Sequence, residues 1–469
     1  MIALGGSLSP PFALLGRQCR QLSRWSALLR QAGTAAAPRI GLRSFDIVTA
    51  GILLVTLAPM VATLLFLSGR ARPKLVRVPR VGRHFTPFHE LRFSDGVEGA
   101  GGILRRFRFH GFPALWNVLM GDMAVVGPRP ASPGALDLAD PAARNRFDIR
   151  PGLASLWWVR NMGNVAYEDE LEADAQFLRR RGFRYNVLLA LRALVSLGYG
   201  RESENPPPTI RIQGIPIRNL TMADAVDEIV ALMDRPGSFQ VAFLNAHCAN
   251  LAHDDPRYKE VLCTSQMTLA DGSGLKLAGT ILGQPVRQNV NGTDLFPRLL
   301  KALEGSGRSV FLLGARPGVP GKVREWIEAE YPGIAVVGHR DGYFASEETD
   351  DVVREVAASG ADLLLVGMGA PRQDLWLREH LEATGARVGM GVGGLLDFFG
   401  GQTPRAPEWL REIGLEWTYR LYQEPGRMWR RYLIGNVVFL GRVVRVRIGT
   451  AVGIRERRVK EHQRKGEDR

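Results

Sequence analysis

The sequence predicts an α/β protein: a parallel sheet covered by helices in the C-terminal half, preceded by a small α-rich monotopic-membrane domain. Three observations carry this. After residue 209, short apolar runs alternate with amphipathic stretches, the order expected of strand–helix units. Residues 47–67 are 21 positions without a charge, long enough for a helix at bilayer depth. Between these regions the chain is arginine-rich and mixed, with helical patches at Ala114–Met120 and Phe183–Leu197.

The elements follow in order. A chain of 469 residues with 45% apolar content calls for two or three domains with packed cores. Residues 1–42 read as a flexible basic leader, with six arginines and no acids between Arg17 and Arg43. Residues 43–200 form the first domain. Its apolar run 47–67 follows Arg43 and Asp46 and precedes Arg70, Arg72 and Lys74. Basic residues on both sides favour both ends in the cytoplasm, and Pro59 breaks or kinks a helix at mid-run. Together these predict a helix that enters one leaflet and turns back, with a kinked spanning helix as the competing reading. The run begins too late for a signal peptide and lacks a small-residue cleavage site.

Residues 201–208, ending in Pro206-Pro207-Pro208, read as an extended linker. The second domain, 209–442, carries expected strands at 240–244, 267–269, 309–313, 335–337, 362–366 and 387–391. Expected helices lie at 222–233, 255–264, 293–304, 320–331, 349–359 and 374–384. Residues 443–469 form a basic, membrane-proximal tail; from Arg427 onward there are 13 Lys/Arg against 4 Asp/Glu.

The net charge of +14 suits nucleic acid or an anionic membrane. Zinc-finger spacing, RNA-binding aromatic signatures and helix-turn-helix patterns are all missing, so the membrane is the expected partner and nucleic acid is not. Cys19, Cys248 and Cys263 have no paired spacing, which suits a reducing compartment. The histidines make no metal set.

In sheets of this kind, ligands bind outside the carboxyl ends of the strands. Asn245, Asp271, Gly314, Gly367 and Gly393 fall there. Asp271 stands in the turn Ala270-Asp271-Gly272-Ser273-Gly274; it is either a base within reach of a hydroxyl or a cap for the next helix. Asn245 offers a donor and an acceptor, or forms an Asx-turn. Arg372 and Gln373 follow Gly367-x-Gly369, whose amides suit a phosphate or a base. Gly292 and Asp294 open a helix. Arg427, Arg430 and Arg431 stand at i, i+3 and i+4, one helical face, and with Arg420 they suit paired phosphates or an anionic lipid surface. Residues 432–439 with Val443 and Val444 form an apolar strip suited to the membrane interface.

The second half resembles the WecG/TagA/CpsF glycosyltransferase family. The resemblance rests on Phe243-Leu244-Asn245-Ala246-His247, Ala270-Asp271-Gly272, Asn291-Gly292-Thr293-Asp294-Leu295, Phe311-Leu312-Leu313-Gly314 and Asp341-Gly342-Tyr343-Phe344. Gly369-Ala370-Pro371-Arg372-Gln373, Arg405-Ala406-Pro407-Glu408, Glu416-Trp417 and Glu424-Pro425 complete it. It implies a Rossmann-like sheet and transfer of a sugar from a UDP-sugar to a polyprenyl-diphosphate-linked sugar, with inversion and without metal or cofactor. On that basis Asp271 is the expected base. Asn245, Gly272, Gly292, Asp294, Gly369, Arg372 and Gln373 are expected to bind substrate, and Arg420, Arg427, Arg430 and Arg431 the lipid diphosphate. Phe243 and Asn289 replace an expected threonine and arginine.

The first half is similar to the bacterial sugar transferases that prime polyprenyl carriers, through Arg80-Val81-Gly82-Arg83, Leu115-Trp116-Asn117-Val118, Gly121-Asp122-Met123, Gly127-Pro128-Arg129-Pro130 and Arg150-Pro151-Gly152-Leu153. That family needs an adjacent Asp-Glu pair where this chain has His110-Gly111, and a basic Lys-Phe-Arg-Ser stretch reads Arg92-Phe93-Ser94-Asp95. The half is therefore expected to be an inactive anchor or acceptor platform. The whole reads as an enzyme of bacterial surface-polymer synthesis on the cytoplasmic face of the inner membrane. The alternatives are a bifunctional enzyme and a non-catalytic scaffold. The sequence leaves a homo-oligomer open.

Overall fold

A computed structural model describes residues 39–67, 74–94, 109–134, 141–163, 169–197 and 206–449. The leader to residue 38, with Cys19, the linker residues 201–205, Asp95 and the tail from residue 450 lie outside the described residues. The chain divides into two compact units, Met1–Arg201 and Glu202–Arg469.

The first unit opens with α1 (Arg39–Leu67), one helix that runs through Pro59. The break expected at Pro59 does not appear. The Thr56 and Thr63 hydroxyls donate to the carbonyls of Ile52 and Pro59 one turn back, each at 2.8 Å. Among the described residues α1 alone is long and apolar enough to cross a membrane. The hairpin β1 (Leu75–Val81) and β2 (Pro87–Phe93) follows, then α2 (Ala114–Met120), β3 (Ala124–Val126), α3 (Pro141–Asn145) and β4 (Gly152–Ala154), which pairs parallel with β3. Helices α4 (Leu156–Gly163), α5 (Glu170–Arg180) and α6 (Phe183–Ser196) complete the unit.

Two polar side chains near the start of α1 tie it to its unit. The Arg43 guanidinium donates to the carbonyls of Val118 and Leu119 at 2.6 and 2.8 Å, at the end of α2. Asp46 accepts from the Val125 N–H of β3 at 2.9 Å.

The second unit begins with the hairpin β5 (Thr209–Ile212) and β6 (Ile215–Arg218) and α7 (Met222–Met233). Thr221 and Asp224 satisfy each other's backbone N–H groups at the start of α7, the reciprocal cap that fixes a helix start. Then come β7 (Phe239–Leu244), α8 (Ala246–Asp254), α9 (Pro256–Thr264), β8 (Met267–Ala270), α10 (Ser273–Leu282), α11 (Gly292–Leu303), β9 (Ser309–Gly314), α12 (Val319–Glu330) and β10 (Ala335–Arg340). They are followed by α13 (Thr349–Ser359), β11 (Leu363–Gly367), α14 (Arg372–Thr384), β12 (Val388–Gly391), α15 (Leu395–Phe399), α16 (Glu408–Glu412), α17 (Glu416–Gln423) and α18 (Pro425–Trp429). A π-helical turn, Arg430–Ile434, leads into a helix over 435–449.

Six strands form one parallel sheet in the order β10-β9-β11-β12-β7-β8. Strands β8, β9 and β11 are buried at every position, as a sheet covered on both faces requires. On one face Phe311, Leu313, Leu364 and Val366 pack against Val352, Trp376 and Leu381 of α13 and α14. Around β7, the four isoleucines of the β5–β6 hairpin share a core with α8, α10, Phe439 and Val443. Phe439 and Val443, expected in an apolar membrane strip, are therefore core residues. Of that stretch, Leu433, Ile434, Val437, Val438 and Val444 are the ones left exposed.

Candidate active site

Strands β7 and β8 pair with Leu244 opposite Ala270, so the residue after each strand, Asn245 and Asp271, meets the other at the carboxyl edge. Asn245 Nδ2 donates to Asp271 Oδ2 at 3.0 Å, while its Oδ1 accepts from the Cys248 N–H at 2.9 Å. One side chain thus caps α8 and holds the carboxylate. Asp271 itself is not the cap of α10: Gly272 occupies that position, and no side chain caps the helix. Gly272 has φ +89°, a region costly for any residue with a β-carbon, and its N–H donates to Asn289 Oδ1 at 2.6 Å.

Burial raises Asp271 above the usual carboxylate range, while the Asn245 hydrogen bond and the Arg431 and Arg420 guanidiniums pull it back. His247, in the first turn of α8, is lowered to about 4 by burial and then by Arg431. The imidazole is neutral at pH 7 and a weak base.

Arg427, Arg430 and Arg431 differ in their surroundings, the first two exposed and the third half-buried. Arg420 of α17 stacks over Phe398 at 4.7 Å, and with Arg431 it acts on Asp271. The buried Nε of Arg431 has no hydrogen-bond partner among the described residues. Arg427 points outward and pairs with Glu424 at 3.0 Å. Arg430 is exposed and lies over Trp429 at 5.3 Å. The i, i+3, i+4 arithmetic assumes a regular α-helix, and the π turn at Arg430 changes the rotation per residue.

Gln373 is buried. Its Oε1 accepts from the N–H groups of Gly369 at 3.0 Å and Gly393 at 2.9 Å, pinning the turn after β11 to the turn after β12. The Ala370–Pro371 peptide in the first turn is cis. Arg372 is exposed, 5.3 Å from the Phe344 ring centroid. Three strand spacings, roughly 14 Å, separate β11 from β8. Arg372 and Asp271 therefore follow a central strand and an edge strand of the same sheet.

Gly292 opens α11 behind Asn291, which caps it by accepting from the Asp294 N–H at 2.9 Å and donating to Asp294 Oδ2 at 2.7 Å. Asp294 is buried and paired with Arg405, with Arg411 at 3.7 Å; Arg405 also lies 3.7 Å from Glu416. Burial alone raises Asp294, but Arg405, Asn291 and Arg411 outweigh it and hold its pKa low. Sequence reasoning missed this network. Arg405 sits in a motif already singled out, but its partner lies 111 positions away. Among the described residues no group of three or more His, Cys, Asp or Glu side chains is arranged to hold a metal.

Residues 210–452 match the family described as "Glycosyl transferase WecG/TagA/CpsF family", and residues 38–198 match "Bacterial sugar transferase". Among curated proteins, the N-acetylglucosaminyldiphosphoundecaprenol N-acetyl-beta-D-mannosaminyltransferase of Bacillus spizizenii is 33% identical over 206 residues, 44% of this chain and 79% of that protein. Its namesake from Bacillus subtilis is 30% identical over 226 residues, 48% of this chain and 87% of that protein. With a family match that spans more than half of its length and includes the strand ends bearing Asn245 and Asp271, the chain belongs to the WecG/TagA/CpsF family of glycosyl transferases.

Proposed function

We propose that the C-terminal unit transfers a sugar from a UDP-sugar to a sugar carried on a polyprenyl diphosphate, at the cytoplasmic face of a bacterial inner membrane. The product serves a surface polysaccharide. The observation that carries this reading is the Asn245–Asp271 pair at the carboxyl edge, under the influence of two guanidiniums. The names of the two Bacillus relatives support the acceptor class.

Asp271 takes the proton of the acceptor hydroxyl as that oxygen bonds to the anomeric carbon. The bond from that carbon to the UDP oxygen breaks on the opposite face, so the configuration inverts and UDP leaves with the electron pair. The proton then passes from Asp271 to solvent. Asn245 keeps the carboxylate aimed, and Gly272 gives the turn its shape. The turn of Gly369 and Arg372, pinned by Gln373, takes the donor diphosphate. Gly292 and Asp294 act through position: Asp294 anchors the segment that leads to Arg420 and Arg431, and these two receive the carrier's diphosphate. The half-buried guanidinium of Arg431, close enough to act on Asp271, suits an anionic acceptor. Arg427 and Arg430 face lipid headgroups. The first unit, with His110-Gly111 in the turn before α2, serves as anchor and platform.

A donor screen tests this. UDP-N-acetylmannosamine, UDP-glucose and UDP-glucuronate are offered with short-chain lipid-diphosphate N-acetylglucosamine, and the products are read by mass spectrometry. Elongated lipid with UDP release from one donor supports the reading; no product from any donor favours the scaffold.

A further inference from the structure

Helix α8 serves two elements at once. At its start Asn245 caps it and holds Asp271. Further along, Asn250 Nδ2 donates to the Gly435 carbonyl at 2.8 Å, and its Oδ1 accepts from Arg442 Nη1 at 3.0 Å. Arg442 Nη2 also donates to Asp254 Oδ1 at 3.2 Å, at the end of α8. Both polar atoms of the Asn250 amide are thus committed to the helix over 435–449. Phe439 and Val443 of that helix share a buried cluster with Cys248, Ala249 and Ala252 of α8.

Gly435 closes the π turn, its N–H donating to the Arg430 carbonyl five positions back. π turns inside helices occur frequently at functional sites, and this one carries Arg431. The Arg431 guanidinium is half-buried, close enough to add to the burial that lowers His247 and to act on Asp271. Two further charges that act on Asp271, Arg420 and Asp294, are held elsewhere, over Phe398 and by Arg405. Without Asn250, Phe439 and Val443 still pack the C-terminal helix onto α8, but the turn ahead of Gly435 loses its fixed point.

We infer that Asn250 is a positioning residue for the transfer reaction: it pins the π turn to α8 through the Gly435 carbonyl, and so holds the Arg431 guanidinium at the strand-end edge beside Asp271. One helix then sets the base, through Asn245, and the cation, through Asn250, in a common frame. The inference rests on the role proposed for Arg431 toward the carrier's diphosphate, and the experiment separates the two.

Full-length Asn250→Ala, Asn250→Asp, Arg431→Met and the Asn250→Ala, Arg431→Met double variant are compared in detergent, with short-chain lipid-diphosphate N-acetylglucosamine as acceptor and the donor selected by the screen. Aspartate at 250 still accepts from Arg442 but cannot donate to the Gly435 carbonyl, so it isolates that bond. Both Asn250 variants should raise the acceptor KM roughly tenfold and leave the donor KM within about twofold. In the Arg431→Met background, Asn250→Ala should add less than about twofold, because residues that act as one unit are not additive. Amide hydrogen exchange, read by mass spectrometry, should quicken over 428–436 and not in β7 or β8. Three results overturn the inference: equal losses in both backgrounds, an acceptor KM raised by Arg431→Met but not by Asn250→Ala, or unchanged exchange in both Asn250 variants. Faster exchange with the acceptor KM unmoved in every variant keeps Asn250 as the pin of the turn and removes the diphosphate role of Arg431.

Discussion

Asn245 and Asp271 stand at the ends of neighbouring parallel strands, and the Asn245 side-chain amide donates to the Asp271 carboxylate at 3.0 Å while its carbonyl caps α8. The bond stabilises the ionised form of a carboxyl that burial otherwise drives toward protonation. In the proposed mechanism the carboxylate is the base, so activity is expected above the folded-state pKa and is lost as pH falls through it.

Replacing Asn245 with alanine removes the stabilising bond and leaves the burial. The Asp271 pKa then rises further, and the acid limb of the kcat/KM profile moves to higher pH. Loss of the helix cap costs about 1 kcal/mol of stability in addition. A pH–rate profile and a thermal melt separate the two effects.

Arg431 and Arg427 should behave differently despite their proximity in sequence. Arg431→Met removes a half-buried guanidinium that acts on Asp271 and, in the proposed mechanism, receives the carrier's diphosphate. A charge-assisted bond to phosphate is worth about 1.5–3 kcal/mol, so kcat/KM for a lipid-diphosphate acceptor should fall roughly 10- to 100-fold. Arg427→Met removes an exposed pair with Glu424, worth about 0–1 kcal/mol, and should leave kcat/KM within about fivefold. Steady-state kinetics in detergent, with no lipid surface, makes the comparison.

Asp294→Ala leaves Arg405 and Arg411 facing a buried gap. Breaking a buried pair from one side costs about 3–5 kcal/mol, and the melting temperature should drop accordingly. An Asp294→Ala, Arg405→Met double variant should recover part of that loss, because the uncompensated guanidinium is gone. A double-mutant cycle from denaturant unfolding measures the recovery.

Asp374, buried behind the Gln373 clip, is pushed up to about 7 by burial, with the Tyr258 hydroxyl donating to it at 3.3 Å. Its folded pKa lies above its unfolded value, so the folded chain holds a proton that the unfolded chain has released. Stability therefore falls as pH rises from about 4 through about 7, by a few kcal/mol. Asp374→Asn cannot ionise and should melt higher than the parent at pH 8, and near the parent at pH 4. Melts at both pH values check this.

Periodicity made most of the second unit legible. The six strands expected from 240 to 391 all form, and α7 and α13 begin and end where apolar spacing places them. The β1–β2 hairpin escaped because Arg77, Pro79, His89 and Arg92 interrupt any run of alternating apolar residues. Helices α8 and α10 escaped because both begin directly at the strand-end turns, where glycine and asparagine suggest a loop. At the site, Asp271 and Asn245 were readable as strand-end residues, but their bond was not, since strand order is not written in local sequence. The same holds for Arg405 on Asp294 and for the inward turn of Phe439 and Val443.

The central claim is that Asp271 removes the acceptor proton. The most direct test is single-turnover transfer by Asp271→Asn, an isosteric change that leaves a side chain able to meet Asn245, with donor and lipid acceptor both saturating. The account predicts a rate lower by about 10²–10⁴-fold with both substrates still bound. A variant that turns over within a few-fold of the parent would contradict it.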